Sequence, residues 1–193
     1  MNYGVYQNVR DAAWQCLLDA EITELPVSVT KIAQHFDIKV AKNSAFNLLK
    51  PSQSGISFRT GDGEWLIVYE DDDAIGRKRF TIAHELGHIL LGHPLREGGQ
   101  HTRIFIKERP QIESEADMFA ARILSPACVL WALDLHTPEE ISKCCQISYT
   151  AAKFRAERMQ ILYARQKFLT SPIERKVFEA FRPWIAEQKN RPD

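Results

Sequence analysis

Long apolar runs, a secretory leader and an excess of one charge are all missing from this 193-residue sequence. No stretch approaches the roughly 20 apolar residues that a membrane-spanning helix needs. The first residues lack the basic segment and apolar run of a signal peptide. Lys plus Arg and Asp plus Glu number 25 each, so zero net charge gives no general attraction to nucleic acid or membranes. We therefore expect a soluble, cytoplasmic protein with no membrane partner.

Cysteine is also scarce and is not spaced for metal binding. The four cysteines, Cys16, Cys128, Cys144 and Cys145, include no C-x-x-C pair, which argues against a cysteine zinc site. Free thiols fit a reducing compartment. The remaining composition, 45% hydrophobic and 26% charged, is typical of an ordinary globular protein.

The apolar pattern predicts a mostly helical protein with one small sheet. Alternation predicts a short strand over residues 38–41 and a hairpin over residues 54–70 that turns at Gly61-Asp62-Gly63. Helical spacing predicts one helix over residues 74–91 and another over residues 111–124. The expected fold class is therefore α+β, with a small three-stranded sheet.

The remainder of the chain is predicted to be helical. We expect helices over residues 138–145, 149–163 and 172–188, the first two resembling a helix-turn-helix. The predicted domains are residues 1–134, which hold the sheet, and residues 135–193, a C-terminal helical region.

One motif carries chemistry: His84-Glu85-Leu86-Gly87-His88 matches H-E-x-x-H. Four residues are just over one helical turn, so both imidazoles project from one face and can bind one Zn²⁺. Glu85 then lies beside the metal, where a general base can take a proton from the attacking water. Two surface histidines on a helix are the alternative, but apolar residues flank the motif on both sides, and buried histidines need partners.

A third ligand is expected from the following helix, which offers Glu113 and Glu115. At about 100° per residue, Glu113 shares a face with small and apolar residues suited to close helix packing. Glu115 points nearly the opposite way, so we predict Glu113 as the ligand. Asp117, one turn later, is predicted to accept a hydrogen bond from a ring nitrogen of a ligating histidine. Glu113 and Asp117 would otherwise be solvated charges.

Residues 79–88, Glu113 and residues 116–126 together resemble the ImmA/IrrE metallopeptidase family. The resemblance implies a zincin-like fold with the catalytic helix against a small sheet. It matches His84 and His88 to the family's histidine ligands, Glu85 to its catalytic glutamate, and Glu113 to its third ligand. Ser125-Pro126 departs from the commoner Met-Pro, at a structural position.

The resemblance also implies a partner. Members of the family act inside bacteria, and several cut or help inactivate a helix-turn-helix repressor encoded nearby in a mobile element or stress operon. The function expected from the resemblance is therefore that of a zinc endopeptidase that acts as an anti-repressor.

The reaction expected from these residues is hydrolysis of a peptide bond. An extended substrate would add as a strand near residues 55–59. Tyr69, His93, His101 and Arg103 are candidates to stabilise the oxyanion, and the sequence does not choose among them.

Two other functions stay open. Residues 150–183 hold eight Lys or Arg against three Glu, so the C-terminal helices could bind DNA. No glycine marks the turn and the whole chain is neutral, which favours packing or a protein partner instead. Alternatively, the protein would sequester its partner and use zinc only structurally. The intact Glu85 argues against that.

Overall fold

The fold is described from a computed structural model, over residues 8–93 and 109–190. The helices and strands are, in chain order, α1 (Val9–Asp19), α2 (Val29–His35), β1 (Ile38–Lys42), β2 (Gly55–Arg59), β3 (Trp65–Tyr69), α3 (Ile75–Leu91), α4 (Arg109–Leu124), α5 (Ala127–Ala132), α6 (Pro138–Cys145), α7 (Tyr149–Ala164) and α8 (Pro172–Lys189). The predicted α+β, zincin-like fold with a three-stranded sheet is confirmed.

The sheet has the order β1-β3-β2. β1 runs parallel to β3, and β2 runs antiparallel to it in the predicted hairpin, with Gly55 opposite Tyr69. The middle strand buries Ile67 and Val68 completely. β2 therefore lies at an edge of this sheet, on the side that faces α3.

α3 is the helix on which the fold is organised, because it packs against the sheet and also against α4. It ends at Gly92, whose φ of 74° is left-handed and suits glycine. A Cβ added to Gly87 would lie 3.2 Å from Ala116 Cα, closer than most Cβ contacts. Glycine at this position thus lets α3 and α4 approach each other closely.

The C-terminal helices share the core of the protein. α6 begins with a capping box in which Thr137 and Glu140 satisfy each other's backbone amides. α8 buries Val177, Phe181 and Ile185 in the hydrophobic cluster that also holds residues of α1 and α4. The division at 134/135 stays a prediction. Across residues 8–93 and 109–190, no helix combines the length and apolarity that crossing a bilayer demands.

Candidate active site

Three side chains that the sequence singles out converge between α3 and α4. His84 and His88 lie one turn apart on α3, and their Nε2 atoms are 2.9 Å from each other. Glu113 Oε2, from α4, lies 3.4 Å from His84 Nε2 and 3.7 Å from His88 Nε2. Within the described residues, these three form the cluster with the spacing of a metal site.

The spacing of these atoms suits a small divalent ion. A tetrahedral zinc with ligands at about 2.0–2.1 Å separates its ligand atoms by about 3.3 Å. The three observed distances bracket that value. Two imidazoles and one carboxylate are also a donor set that zinc enzymes use, with a fourth position left open for substrate or water.

Asp117 determines which nitrogen of His84 is turned towards the site. Its Oδ1 lies 2.9 Å from His84 Nδ1. A carboxylate oxygen accepts, so Nδ1 carries the proton and donates. His84 Nε2 is then left with a lone pair directed towards Glu113 and His88.

His88 is held in the same way, but through an intervening histidine. His93 Nδ1 lies 2.9 Å from His88 Nδ1, and His93 Nε2 lies 3.2 Å from Glu115 Oε2. With Glu115 as acceptor, His93 Nε2 donates and His93 Nδ1 accepts from His88 Nδ1. His88 Nε2 is therefore also a lone-pair acceptor.

Two acceptor nitrogens thus face each other at hydrogen-bond distance, with a carboxylate beside them. Such an arrangement is stable only around a cation, whether a proton or a metal ion. The shifted pKa values of His84 and Glu113 also indicate that this cluster favours a cation. Burial would lower the pKa of His84, but the hydrogen bond with Glu113 and the charges of Glu85 and Asp117 outweigh it and raise that pKa. The neighbouring His84 and His88 hold the pKa of Glu113 far below its usual range.

Glu85 lies next to this cluster and is itself positioned by the sheet. It is 7% exposed, and Ser57 Oγ donates a 2.6 Å hydrogen bond to its Oε2. β2 lies close enough to α3 for this contact to form. The close approach requires glycine at position 55, since a Cβ there would overlap the Thr81 Cγ2 methyl. The sheet therefore holds one carboxylate oxygen of Glu85 in place.

The cluster opens onto a cleft of about 580 Å³. Its walls come from the start of β2, from α3, from α4 and from Ser148 at the start of α7. The lining residues are Ser54, Gly55, Gly76, Arg77, Phe80, Thr81, His84, Glu85, Glu113, Asp117 and Ser148. We refer to this space as the catalytic cleft. A peptide in it would pass β2 and reach Glu85 and the histidines together.

A family model described as the IrrE N-terminal-like domain, Peptidase M78, matches residues 33–164, which is more than half of the chain. The chain belongs to the IrrE N-terminal-like domain family. It is therefore a metallopeptidase, a hydrolase whose substrate is protein, and the resemblance to the ImmA/IrrE family is confirmed. The convergence of His84, His88 and Glu113 is compatible with the metal that such an enzyme uses. No curated protein matches the chain.

The structure describes two of the four residues predicted as candidates to stabilise the oxyanion, His93 and Tyr69. His93 is buried, and its two nitrogens contact His88 and Glu115, so it supports the cluster instead of facing substrate. Tyr69 ends β3 and is absent from the described residues that line the catalytic cleft. His101 and Arg103 lie outside the described residues.

Two contacts escape sequence reasoning. Ser57 alternates with apolar neighbours in β2, which marks its face but not its hydrogen bond to Glu85. Among the described residues Glu115 lies outside the cluster of His84, His88 and Glu113, yet it reaches His93 just past the end of α3. No local signal in the sequence pairs residues 93 and 115.

Proposed function

We propose that this metallopeptidase is a one-zinc endopeptidase, that His84, His88 and Glu113 hold the ion, and that Glu85 is the general base. The convergence of two lone-pair nitrogens and a carboxylate beside a buried glutamate supports this assignment. The proposed cleavage target is a helix-turn-helix repressor, which would make the protein an anti-repressor.

The residues of the chain divide the work as follows. When bound, zinc supplies a Lewis acid that polarises the scissile carbonyl and acidifies the attacking water. Glu85 takes the proton from that water and returns it to the leaving amine. Ser57 donates a hydrogen bond to Oε2 of Glu85, which fixes this carboxylate beside the proposed ion site. Asp117, and His93 with Glu115, keep the two histidines in the tautomers that binding requires.

The substrate backbone would lie along β2. An edge strand offers backbone groups that an extended peptide can pair with, and the catalytic cleft begins at Ser54 and Gly55. Cleavage of an internal peptide bond requires such an extended segment. In a folded repressor, an exposed linker between domains would provide it.

A structural zinc site is the competing interpretation. Structural sites are closed by four protein ligands, whereas three side chains converge here among the described residues, and the cluster lines a cleft. These features favour hydrolysis over sequestration of a partner.

The test is to incubate the purified protein with candidate helix-turn-helix repressors, taken first from genes that neighbour its own. Wild-type protein loaded with zinc is expected to cut it, and a chelator is expected to stop the reaction. Glu85→Gln should keep zinc, measured by elemental analysis, and lose cleavage. Glu187→Gln, an exposed glutamate on α8, is the matched control and should cut normally. Cleavage by Glu85→Gln at the wild-type rate would reject the assigned base, and binding without cleavage by the wild type would favour sequestration.

A further inference from the structure

A second cavity lies beside the catalytic cleft, and the catalytic residues do not use it. It measures about 170 Å³ and is bounded by α3, α4 and α7. Phe80 lines both spaces, and Ile147 and Ser148, which are adjacent in sequence, line one each. The cavity therefore adjoins the catalytic cleft, through which the substrate is proposed to pass.

Three arginines line this cavity: Arg122 of α4, with Arg155 and Arg158 of α7. We call the cavity the arginine pocket. In residues 8–93 and 109–190, no carboxylate forms an ion pair with any of the three. Burial and then the positive charge of Arg122 lower the pKa of Arg155 to about 10, so the guanidinium groups act on one another.

Arg155 is the most unusual of the three. It is 7% exposed, and its Nε is buried with no hydrogen-bond partner among the described residues. One of its other nitrogens donates to the carbonyl of Ser125, at the end of α4, so part of the side chain has a structural role. That hydrogen bond does not explain why Arg155 Nε has no partner among the described residues. It also does not explain why Arg122 and Arg158 line the same cavity. A buried cation such as Arg155 costs stability when it has no acidic partner, and an anionic ligand would offset that cost.

The rest of the pocket is apolar, and its rim exposes large side chains. Met118 is 41% exposed and Phe154 is 67% exposed, and both line the pocket. Ile75 and Tyr149 are exposed as well, and each is adjacent in sequence to a residue of the catalytic cleft, Gly76 or Ser148. Exposed apolar groups around a small cavity are typical of a site that binds a protein segment.

We propose that the arginine pocket is a specificity subsite that receives one acidic side chain of the protein substrate, flanked there by apolar residues. A cavity of this size holds a group about as large as benzene, so one side chain fits. The apolar walls and the burial of Arg155 favour a peptide over DNA, whose phosphates pair with exposed cations. The subsite rests on the proposed endopeptidase function, and it would select which segment of a partner is cut.

The binding test does not depend on cleavage. Protein labelled with ¹⁵N-arginine is treated with a chelator, so that no metal attracts the probe, and titrated with 4-phenylbutyrate or its uncharged amide. The arginine Nε–H signals of the pocket are expected to shift with the carboxylate and to respond at least about tenfold more weakly to the amide, as when a charged hydrogen bond is lost. Arg122→Gln with Arg158→Gln should abolish the difference. Lys153→Gln, an exposed cation on the same helix that does not line the pocket, should preserve it.

The second test measures selectivity with zinc-loaded enzyme and a mixture of peptides with randomised sequences. Cleaved products are expected to be enriched in Asp or Glu at one fixed distance from the cut bond, and Arg158→Glu should shift that preference to Lys or Arg. Equal binding of carboxylate and amide, absence of binding, or products without an acidic preference would each overturn the subsite. Duplex DNA that competes with 4-phenylbutyrate for the same arginines would also overturn it. If the carboxylate binds as described but the wild-type protein cuts no peptide and no repressor, the proposed endopeptidase function fails, and the arginine pocket is a site for an acidic group that selects no cleavage segment.

Discussion

His93 Nδ1 lies 2.9 Å from His88 Nδ1, and this contact determines which nitrogen of His88 is left for the metal. The contact works only because Glu115 holds the proton of His93 on the opposite nitrogen. His93, just past the end of α3, and Glu115 of α4 thereby orient His88, a predicted metal ligand, although neither is predicted to bind the metal. The role of His93 is thus to orient His88.

Replacing His93 should therefore weaken zinc binding without removing a ligand. His93→Ala is expected to lower zinc affinity by about 10–100-fold, the usual effect of losing such a partner. His93→Gln, whose amide oxygen can accept from His88, should recover part of the loss. Affinity is measured by competition with a chromophoric chelator.

His136→Ala is the control for that measurement, since His136 is exposed and pairs with Asp134, away from the cluster. It should leave zinc affinity unchanged. Unchanged affinity in His93→Ala, or equal losses in Ala and Gln variants of His93, would show that the orientation of His88 does not depend on this contact.

Ser57→Ala tests the contact between the sheet and Glu85, the proposed general base. Without the 2.6 Å hydrogen bond from Ser57, Oε2 of Glu85 loses the contact that fixes its position, so kcat should fall about tenfold or more. KM and zinc content should stay near their wild-type values, because the serine lies in neither the predicted ligand set nor the lining of the catalytic cleft. Steady-state kinetics on a peptide cut by the wild type provides the measurement.

Ser52→Ala, at an exposed serine just before β2, is the matched control. If Ser57→Ala retains full kcat, or loses zinc together with activity, the serine does not act through Glu85.

The close approach of β2 to α3 can be tested with a pair of substitutions. Gly55→Ala places a methyl group on Thr81 Cγ2 and is expected to reduce the free energy of unfolding by about 1–3 kcal/mol. Thr81→Ser removes that methyl and should relieve the overlap, so the double variant should be more stable than Gly55→Ala alone. Chemical denaturation of the four proteins measures the coupling, and strictly additive effects would contradict the contact.

The four cysteines should react at very different rates. Cys16, Cys128 and Cys145 are buried, and burial raises the pKa of Cys128 to about 12, which keeps it protonated and unreactive. Cys144 is partly exposed, and a hydrogen bond with Cys145 lowers its pKa. One cysteine of the native protein should therefore react with an aromatic disulfide reagent near neutral pH, forming a mixed disulfide and releasing one equivalent of aromatic thiolate. The other three should react only after unfolding, and rapid reaction of two or more would contradict the burial.

The sequence predicts this fold well where the signal is local. The strand and hairpin alternation and the periodicity of the long apolar helix each depend on neighbours in the chain, and those elements form close to the predicted residues. The choice of Glu113 over Glu115 also follows from one helical wheel, and the structure brings Glu113, not Glu115, to the histidine pair.

The features that sequence reasoning misses depend on packing between distant segments. Ser57 meets Glu85 only because β2 lies on α3, and His93 meets Glu115 only because α4 returns along α3. The arginine pocket forms where α4 and α7 border one cavity, which brings together cations that the sequence spreads over 37 positions from 122 to 158. Composition counts such charges but does not bring them together.

Gly87 binds no ligand, yet it sets the width of the gap between the histidines and Glu113. With hydrogen in place of a side chain, α3 lies against the backbone of Ala116, one turn beyond Glu113. A bulkier residue would force the helices apart and lengthen the reach from imidazole to carboxylate, which would favour ions of larger radius. We therefore expect substitution of Gly87, which lies outside the proposed ligand set, to change the ion preference of this enzyme.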